Sequence, residues 1–189
     1  IDAASRLQRL IDDLLAYSKT TMIIEDFEPV DLNIILEELI SANKETLEEK
    51  QVIIQRDRLP VVRAINFQMR QLFDNLLTNA IKYYHPQRDP LIQVSYDIVP
   101  GSELTSEEAN PNGNYHKISI IDNGIGFDPA QSDKIFNLFQ RLREKTDTSG
   151  TGIGLAICRK ILQNHKGYIE AVGKLNEGAL FFVFLPFDN

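Results

Sequence analysis

The chain has 189 residues, of which 43 % are apolar and 25 % are charged. This length and composition predict one folded domain with a small additional element, and they exclude two large domains, a disordered chain and a fibrous one. With 20 basic and 27 acidic residues the net charge is −7, so we expect neither a nucleic-acid partner nor contact of this chain with an anionic membrane surface.

Cysteine and histidine are too sparse for the common metal sites. The single cysteine, Cys158, fits a reducing compartment, and we expect a cytoplasmic location for this chain, even if the whole protein is anchored in a membrane. The three histidines, His85, His116 and His165, show no HxxH or HExxH spacing, so we expect no histidine-based metal site.

Residues 1–20 have the pattern of a bundle or coiled-coil helix. Leu7, Ile11 and Leu14 follow one another at steps of four and three, and the polar Ser18 takes the next position. Such a stripe needs a partner helix; a helix docked on its own domain is the alternative. Because the sequence opens inside this pattern without a clear cap, we expect the helix to belong to a longer helical hairpin.

The rest of the chain alternates predicted helices and strands. Residues 21–30 are predicted as a linker, with Phe27 to Asp31 extended and Asp31 as a helix N-cap, and the domain then covers residues 31–189. Pro100 to Asn114, rich in Gly, Pro, Asn and Glu, is predicted as an exposed, mobile hairpin loop. Further helices are predicted over 32–50, 66–84 and 153–164, and strands over 52–54, 91–98, 117–121, 168–172 and 180–185. This order predicts an α/β fold with a mixed sheet covered on one face by helices.

The helix QMRQLFDNLLTNAIKYY, residues 68–84, carries a polar stripe beside its broad apolar face. At helical spacing Gln71, Asn75, Asn79 and Lys82 border that face and could line a pocket. A carboxamide oxygen ligates Mg²⁺ without adding negative charge beside phosphates, which points to Asn79 as a direct ligand and Asn75 as a water-bridged one. Lys82 would meet phosphate oxygens. A solvated polar edge is the alternative for this stripe taken alone.

The segment IIDNGIGF, residues 120–127, predicts a strand that ends at Asp122 and a glycine turn. Gly124 and Gly126 permit a flat ligand to approach the backbone closely. A buried Asp122 carboxylate only accepts hydrogen bonds, which suits the exocyclic amine of adenine and disfavours guanine, whose corresponding group is a carbonyl. An ordinary Asp-Asn-Gly turn is the alternative.

The segment SGTGIGLAI, residues 149–157, predicts a glycine-rich loop that opens a helix. Its backbone N–H groups, together with the helix dipole, would hold phosphate. The spacing is GxGxG and no GxxxxGK[ST] occurs, which disfavours a dinucleotide-binding or P-loop site. A structural glycine turn is the alternative.

Residues 129–149 form a long irregular connection between the two glycine segments and are predicted as a lid. Phe136 and Phe139 are its expected anchors. Arg141 or Arg143 would reach a terminal phosphate, while a solvated surface position is the alternative for each basic residue.

Four segments, NLLTNAIKY, DNGIGF, IFNLFQRL and GTGIGLAI, resemble in order and spacing the N, G1, F and G2 boxes of the ATP-binding catalytic domain of sensor histidine kinases, in the GHKL superfamily. The resemblance covers Phe27 to Leu185. In addition, IDDLLAYSK at Ile11 to Lys19 resembles the second helix of the family's dimerisation and phosphotransfer hairpin. The resemblance implies a Bergerat fold, a two-layer α/β sandwich in which ATP lies between the N-box helix and a mobile lid.

The resemblance also implies roles for single residues. Mg²⁺ would lie on Asn79 with Asn75 beside it, phosphate on Lys82, and the adenine amine on Asp122. Tyr83 would lie along the nucleotide. The other implied contacts to ATP are Gly124, Ile125 and Gly126 at the base, Phe139 and Arg141 in the lid, with Arg141 near the γ-phosphate, and Gly150, Thr151, Gly152, Gly154 and Leu155 at the phosphates or the lid hinge.

The chain departs from the family pattern in its histidines and near its last strand. No histidine stands in an H-box, so the resemblance implies a chain that binds ATP but does not phosphorylate itself. Its implied partners are its own phosphotransfer hairpin, in a homodimer of the whole protein, and the receiver domain of a response regulator. Many members have Ser or Thr where Ala179 and Leu180 stand here, so a second polar contact to adenine is not expected.

Two other functions remain as alternatives. Hydrolytic members of the superfamily place a glutamate one turn before the metal-binding asparagine, where it activates water. That position is Asn75 here, and an amide cannot act as a base, so ATP hydrolysis is disfavoured against phosphoryl transfer. A nucleotide-gated scaffold without kinase activity would bind ATP tightly and never pass phosphate to the hairpin histidine.

Overall fold

A computed structural model describes residues 7–8, 10–12, 14–15, 17–18, 26–104, 106–141 and 150–187. In chain order its elements are β1 (Glu28–Asp31), α1 (Leu32–Ala42), α2 (Lys44–Glu49), β2 (Ile53–Arg56), β3 (Val61–Ala64), α3 (Asn66–Lys82), β4 (Leu91–Pro100), β5 (Asn114–Asp122), α4 (Gly154–Asn164), β6 (Tyr168–Lys174) and β7 (Gly178–Pro186). Short 3₁₀ turns lie at Gly101–Glu103, Pro129–Gln131 and Lys134–Phe136.

The main sheet has five strands in the order β2-β4-β5-β7-β6. Strands β2 and β4 are parallel and the other neighbours are antiparallel, so the sheet is mixed as predicted. Alternate residues of its strands, such as Ile92, Ile118 and Val183, belong to the same buried cluster as the apolar side of α3. This arrangement confirms the predicted α/β sandwich, with helices on one face of a mixed sheet.

The helix that follows Asp31 is shorter than predicted. Asp31 caps α1 as expected, since its Oδ1 accepts the Asn33 N–H at 2.9 Å. The prediction of one helix over 32–50 is wrong, because the chain turns at Asn43 between α1 and α2. The Asn43 side chain donates to the Leu39 carbonyl oxygen at 2.9 Å, a local bond that competes with helix continuation.

Strands β1 and β3 pair as a small antiparallel ribbon. The sequence pattern did not predict this ribbon. Residues 28–31 were expected to be extended, and they are, but VVRA at Val61–Ala64 is too short to stand out as a strand. Its pairing partner lies about thirty residues earlier, so only the tertiary fold identifies it. The division into helix, linker and domain stays a prediction.

The polar segment Pro100–Asn114 connects the β4–β5 hairpin and is largely exposed in its described residues, as predicted, but it is more structured than expected. Strands β4 and β5 run further than predicted and pair as far as Pro100 with Asn114. Leu104 and Ala109 then pack against a second cluster of buried aromatic side chains, which consists of Tyr115, Tyr168 and Phe184. The apolar surface of these rings makes the connection fold back onto the sheet.

The described residues between 7 and 18 are helical, as the periodicity predicted. Leu10 and Tyr17 of this N-terminal helix pack against the core of the domain. The predicted stripe faces the other way, with Leu7, Ile11 and Leu14 exposed to 59 %, 44 % and 51 %. One side of the helix therefore docks on its own domain while the stripe is left on the surface. Within the described part of the chain, no helix has the length and apolarity to cross a bilayer.

Candidate functional site

Helix α3 presents a polar edge to the candidate site. Its apolar side chains lie in the core, and this burial fixes the rotation of the helix about its axis. Gln71, Asn75, Asn79 and Lys82 are all half-buried at the border of that face, as the stripe predicted. Asn75, Asn79 and Lys82 therefore lie on the same side of α3, at steps of four and three. This spacing suits contacts with a chain of phosphates.

The glycine-rich segment at the start of α4 lies directly against this edge. A methyl group on Gly154 would stand 2.8 Å from Asn75 Oδ1, and one on Gly150 would stand 2.6 Å from Lys82 Nζ and 3.6 Å from the Tyr83 hydroxyl oxygen. Lys82 Nζ also lies 4.8 Å from the centre of the Tyr83 ring. The absence of side chains at these glycines lets the backbone at the N-terminus of α4 approach an amide and an ammonium group closely.

The turn after β5 is joined to the end of α3. The Ile125 N–H donates to the Tyr83 carbonyl oxygen at 2.9 Å, and any side chain on Gly124 would overlap that carbonyl. Gly126 has a φ of +58°, which favours glycine, and packs against the backbone at Lys174. The Tyr83 carbonyl group is thus the point of contact between two of the segments, NLLTNAIKY and IIDNGIGF.

Asp122 ends β5 inside this junction and is only 8 % exposed. Its Oδ1 accepts the Gly124 N–H at 2.9 Å. Burial raises the pKa of Asp122 to about 6, while hydrogen bonds from the backbone of Gly124 and Ala179 oppose the rise. At neutral pH the Asp122 carboxylate is therefore mainly ionised, and it is a hydrogen-bond acceptor in a poorly solvated environment. Ala179 lies opposite Asp122 in the sheet, and its methyl group adds no polar contact.

The first half of the predicted lid is ordered by two 3₁₀ turns. Phe136 is buried and lies 4.7 Å below the Arg159 guanidinium carbon, so this anchor is where the sequence predicted it. The prediction of Phe139 as a second anchor is wrong: its side chain is 59 % exposed and its φ is +62°. Apolar character alone did not tell which of the two rings would be covered.

Gly152 joins this lid segment to the glycine-rich segment. Its φ is +76°, and a methyl group there would stand 2.7 Å from the Gln140 carbonyl oxygen. Thr151 and Leu155 lie half-buried on either side, and Leu155 packs against the core. Arg141 is half-buried next to Gln140. Arg143 and the rest of the predicted lid up to Ser149 lie outside the described residues.

Sequence reasoning missed two residues that hold the site together. Asn123 Oδ1 accepts the Leu91 N–H at 2.8 Å, and its Nδ2 donates to the Asp89 carbonyl oxygen at 2.9 Å. The Arg88 guanidinium donates to the Asn176 carbonyl oxygen. The Asp-Asn-Gly turn contained a signal for Asn123, but nothing in the sequence named its distant partners.

Comparison with known proteins identifies the family of this chain. Residues 65–189 match the family described as histidine kinase-, DNA gyrase B- and HSP90-like ATPases. The chain is 38 % identical to Cyanobacterial phytochrome A of Nostoc sp. strain PCC 7120 over 186 residues, which are 98 % of this chain and 22 % of that protein. It is 32 % identical to the sensor protein kinase WalK of Staphylococcus aureus over 193 residues, or 98 % of this chain and 43 % of WalK.

Solved structures share the fold. Full-length ShkA in complex with AMPPNP superposes with a TM-score of 0.74 at 24 % identity, covering 97 % of this chain and 36 % of that one. Histidine kinase ThkA in complex with the response regulator TrrA gives 0.68 at 22 % identity, covering 97 % and 48 %. The chain therefore belongs to the family of histidine kinase-, DNA gyrase B- and HSP90-like ATPases. It spans less than half the length of these relatives.

Proposed function

We propose that this chain binds Mg²⁺-ATP and positions the γ-phosphoryl group for transfer to a histidine on the phosphotransfer hairpin of the same protein, from which it passes to an aspartate of a receiver domain. The observation that carries the proposal is the convergence of the four sequence segments on one surface. Asn75 meets Gly154, Lys82 meets Gly150, and Tyr83 meets Gly124 beside Asp122. The fourth segment joins them where Gln140 meets Gly152.

The phosphate half of the proposed site lies between α3 and the start of α4. Lys82 would contact phosphate oxygens as a point charge, and the backbone at Gly150, Thr151, Gly152, Gly154 and Leu155 would supply N–H groups or the lid hinge. Arg141 would approach the γ-phosphate, and Phe139, with its exposed ring, would cover the nucleotide from the lid side.

The residues on α3 fit magnesium. Asn75 Oδ1 lies close to Gly154 at the start of α4, and a neutral amide oxygen is a suitable ligand where the phosphates already bring the negative charge. Asn79 would hold the ion directly and Asn75 through water. Magnesium, when bound, neutralises charge on the phosphates.

The adenine half of the proposed site is the turn after β5. The ionised Asp122 would accept a hydrogen bond from the 6-amino group, while Gly124, Ile125 and Gly126 would lie against the base and Tyr83 along the nucleotide. Guanine presents a carbonyl at the corresponding position, which would repel the carboxylate. The proposal therefore includes selection of ATP over GTP.

The protein's part in the reaction is to position and to neutralise charge. A ring nitrogen of the hairpin histidine attacks the γ-phosphorus, the bond to the β–γ bridging oxygen breaks, and ADP leaves with that oxygen. Asn75 offers no base for water in place of a histidine. The AMPPNP complex of ShkA and the ThkA complex with a response regulator support the nucleotide and the downstream partner. Such a reaction belongs in the cytoplasm, where ATP and receiver domains are present.

Calorimetric titration tests the binding part of the proposal. The chain is titrated with AMPPNP and with the matching GTP analogue, with and without Mg²⁺. We expect adenine-selective binding that is lost in Asp122→Ala, and a Mg²⁺ contribution that is lost in Asn79→Ala, while the exposed Asn112→Ala leaves both unchanged. Equal affinity for both analogues would contradict the adenine assignment.

Transfer is tested by adding a separate hairpin fragment that contains the acceptor histidine. With γ-labelled ATP, we expect label on that fragment only when this chain is present, and no label when its histidine is replaced by alanine. Tight ATP binding with no label on the hairpin would instead favour the nucleotide-gated scaffold.

A further inference from the structure

We infer that Asn123 is a positioning residue for adenine selection, because its side chain ties the turn that carries Asp122 to the loop after α3, with Arg88 bracing the turn from the opposite side. This inference rests on the proposed adenine site and adds to it two residues that make no contact with the base.

The side chain of Asn123 makes two hydrogen bonds that require an amide. Its Oδ1 accepts the Leu91 N–H at 2.8 Å, and its Nδ2 donates to the Asp89 carbonyl oxygen at 2.9 Å. Its own N–H donates to the Leu91 carbonyl oxygen at 3.2 Å. An aspartate could make only the first of the side-chain bonds, and an alanine could make neither.

Arg88 holds the other side of the same turn through the connection between β6 and β7. Its guanidinium donates to the Asn176 carbonyl oxygen, and the Asn176 N–H donates to the Ile125 carbonyl oxygen at 2.8 Å. Ile125 in turn donates to the Tyr83 carbonyl oxygen at 2.9 Å. Residues 122–126 are therefore held between the loop that follows α3 and the turn at residues 174–178.

The hydrogen bonds of Asn123 and Arg88, together called the clamp, fix the position of the Asp122 carboxylate. Asp122 Oδ1 accepts the Gly124 N–H, so the orientation of the carboxylate depends on the position of the residue that follows Asn123. A hydrogen bond to an amine is sensitive to displacements of a few tenths of an ångström. The phosphate half of the site is built on α3 and α4 instead, and it does not depend on these bonds. Loosening the clamp should therefore weaken recognition of the 6-amino group selectively.

The experiment measures that selectivity with a pair of nucleotides. The Kd values for ATP and for purine riboside 5′-triphosphate, which lacks the 6-amino group, are measured by calorimetry with Mg²⁺. We expect wild-type protein to favour ATP about tenfold, as for a hydrogen bond to a charged acceptor. In Asn123→Ala we expect the preference to fall to about twofold, while the affinity for the deamino analogue changes less than about twofold.

Two further variants complete the design. Asn112→Ala removes an exposed asparagine from the distant polar connection and should keep the wild-type preference. Arg88→Ala removes an exposed side chain, so it should stay folded, and should also lower the preference. Circular dichroism and thermal unfolding establish which variants are folded. If Asn123→Ala does not fold, the nucleotide preference of Arg88→Ala tests the inference.

A folded variant that loses affinity for both nucleotides by the same factor, or that keeps the wild-type preference, overturns the inference, since a merely structural role would give that result. A wild-type protein that binds both nucleotides equally well overturns the proposed adenine site itself, and the inference with it. The wild-type ratio and the variant ratios therefore separate the two failures.

Discussion

Asp122 carries a charge that its surroundings disfavour. Burial raises its pKa to about 6, from an ordinary value of 3.8. Between roughly pH 4 and 6 the folded state therefore binds more protons than the unfolded state, and the stability contribution of this group falls as the pH rises through that window. At neutral pH the ionised carboxylate costs on the order of 3 kcal/mol of folding free energy. Such a cost is expected at a residue kept for binding rather than for stability.

Replacing Asp122 by asparagine should separate binding from stability. The amide keeps an acceptor for the Gly124 N–H but turns donors toward the 6-amino group, so we expect ATP affinity to fall at least about tenfold. We expect the free energy of unfolding at pH 7.5 to rise by about 1–2 kcal/mol, because a buried charge is removed. Urea unfolding at pH 5 and 7.5 and calorimetric titration measure both effects.

The exposed Asp97 provides the matched control for this change. Asp97→Asn should alter neither the affinity nor the unfolding free energy by more than about 0.5 kcal/mol. An Asp122→Asn variant that bound ATP as well as the wild type would contradict the role proposed for the carboxylate.

Two glycines of the site should respond to alanine in opposite ways. Gly126 has a φ of +58°, and a methyl group there would overlap the backbone carbonyl of Lys174, so we expect Gly126→Ala to lower the unfolding free energy by about 2–4 kcal/mol. At Gly150 the methyl group would meet only Lys82 Nζ, the end of a flexible side chain, so stability should change by less than about 0.5 kcal/mol. Displacing Lys82 should still weaken ATP binding.

Chemical unfolding and titration of both variants check this contrast. A Gly150→Ala variant as unstable as Gly126→Ala would show that the glycine-rich segment is packed for structure. A Gly150→Ala variant that was stable and bound ATP normally would remove the argument that Lys82 meets the phosphates.

At the scale of the elements, His165 joins the end of α4 to the start of α3. Its Nδ1–H donates to the Ile161 carbonyl oxygen at 2.7 Å, and its Nε2 accepts the Ile65 N–H at 3.0 Å. Both bonds require the neutral ring with its proton on Nδ1. Burial lowers the pKa of His165, with the bond to Ile161 opposing the change. The residue therefore fixes how two helices of the site meet.

The pH dependence of stability should report this junction. Because the pKa of His165 is lowered in the folded state, the unfolded state binds more protons below about pH 6.5, and stability is lost as the pH falls through that value. We expect His165→Ala to lower the unfolding free energy at pH 7.5 by about 1–3 kcal/mol and to remove this loss. Unfolding curves between pH 5 and 7.5 measure it.

The control for this variant is His85→Ala, which lies on a surface turn and should change stability by less than about 0.5 kcal/mol. The slope from Asp122 runs in the opposite direction, so the two groups are separated by comparing each variant with the wild type. An unchanged pH profile in His165→Ala would mean that another group causes the loss.

A helix cap that depends on a local contact was predicted from the sequence, and features that depend on distant contacts were not. Asp31 was correctly predicted as a cap because its bond to Asn33 is local. The strand β3 and the packing of Leu104 and Ala109 were not predicted, since both depend on contacts with residues elsewhere in the chain. The end of α1 at Asn43 rests on a local bond to Leu39, which the apolar periodicity does not show. Phe136 and Phe139 are equally apolar, and only the tertiary packing, in which Phe136 joins the core and contacts Arg159, distinguishes them.

At the scale of the whole molecule, the proposed site has an amide rather than a carboxylate at position 75. Asn75 lies against Gly154, at the position where a hydrolytic member of the superfamily would have a carboxylate. We expect steady-state ATP hydrolysis by the chain to be no faster than that of its Asn79→Ala variant, as measured by phosphate release. Robust turnover that disappeared in Asn79→Ala would contradict phosphoryl transfer as the main activity and favour an ATPase.

The sequence by itself was enough to predict the chemistry proposed for this protein. The residue types and their spacing in four short segments identified amides, a lysine, a carboxylate and glycines suited to a nucleotide, and periodicity predicted the helices and the mixed sheet, because these signals are local. Only the tertiary structure decided which segments meet. Asn123, Arg88 and His165 act through partners far away in sequence, and pairing over such distances is set by the packing of the sheet and helices rather than by local preference.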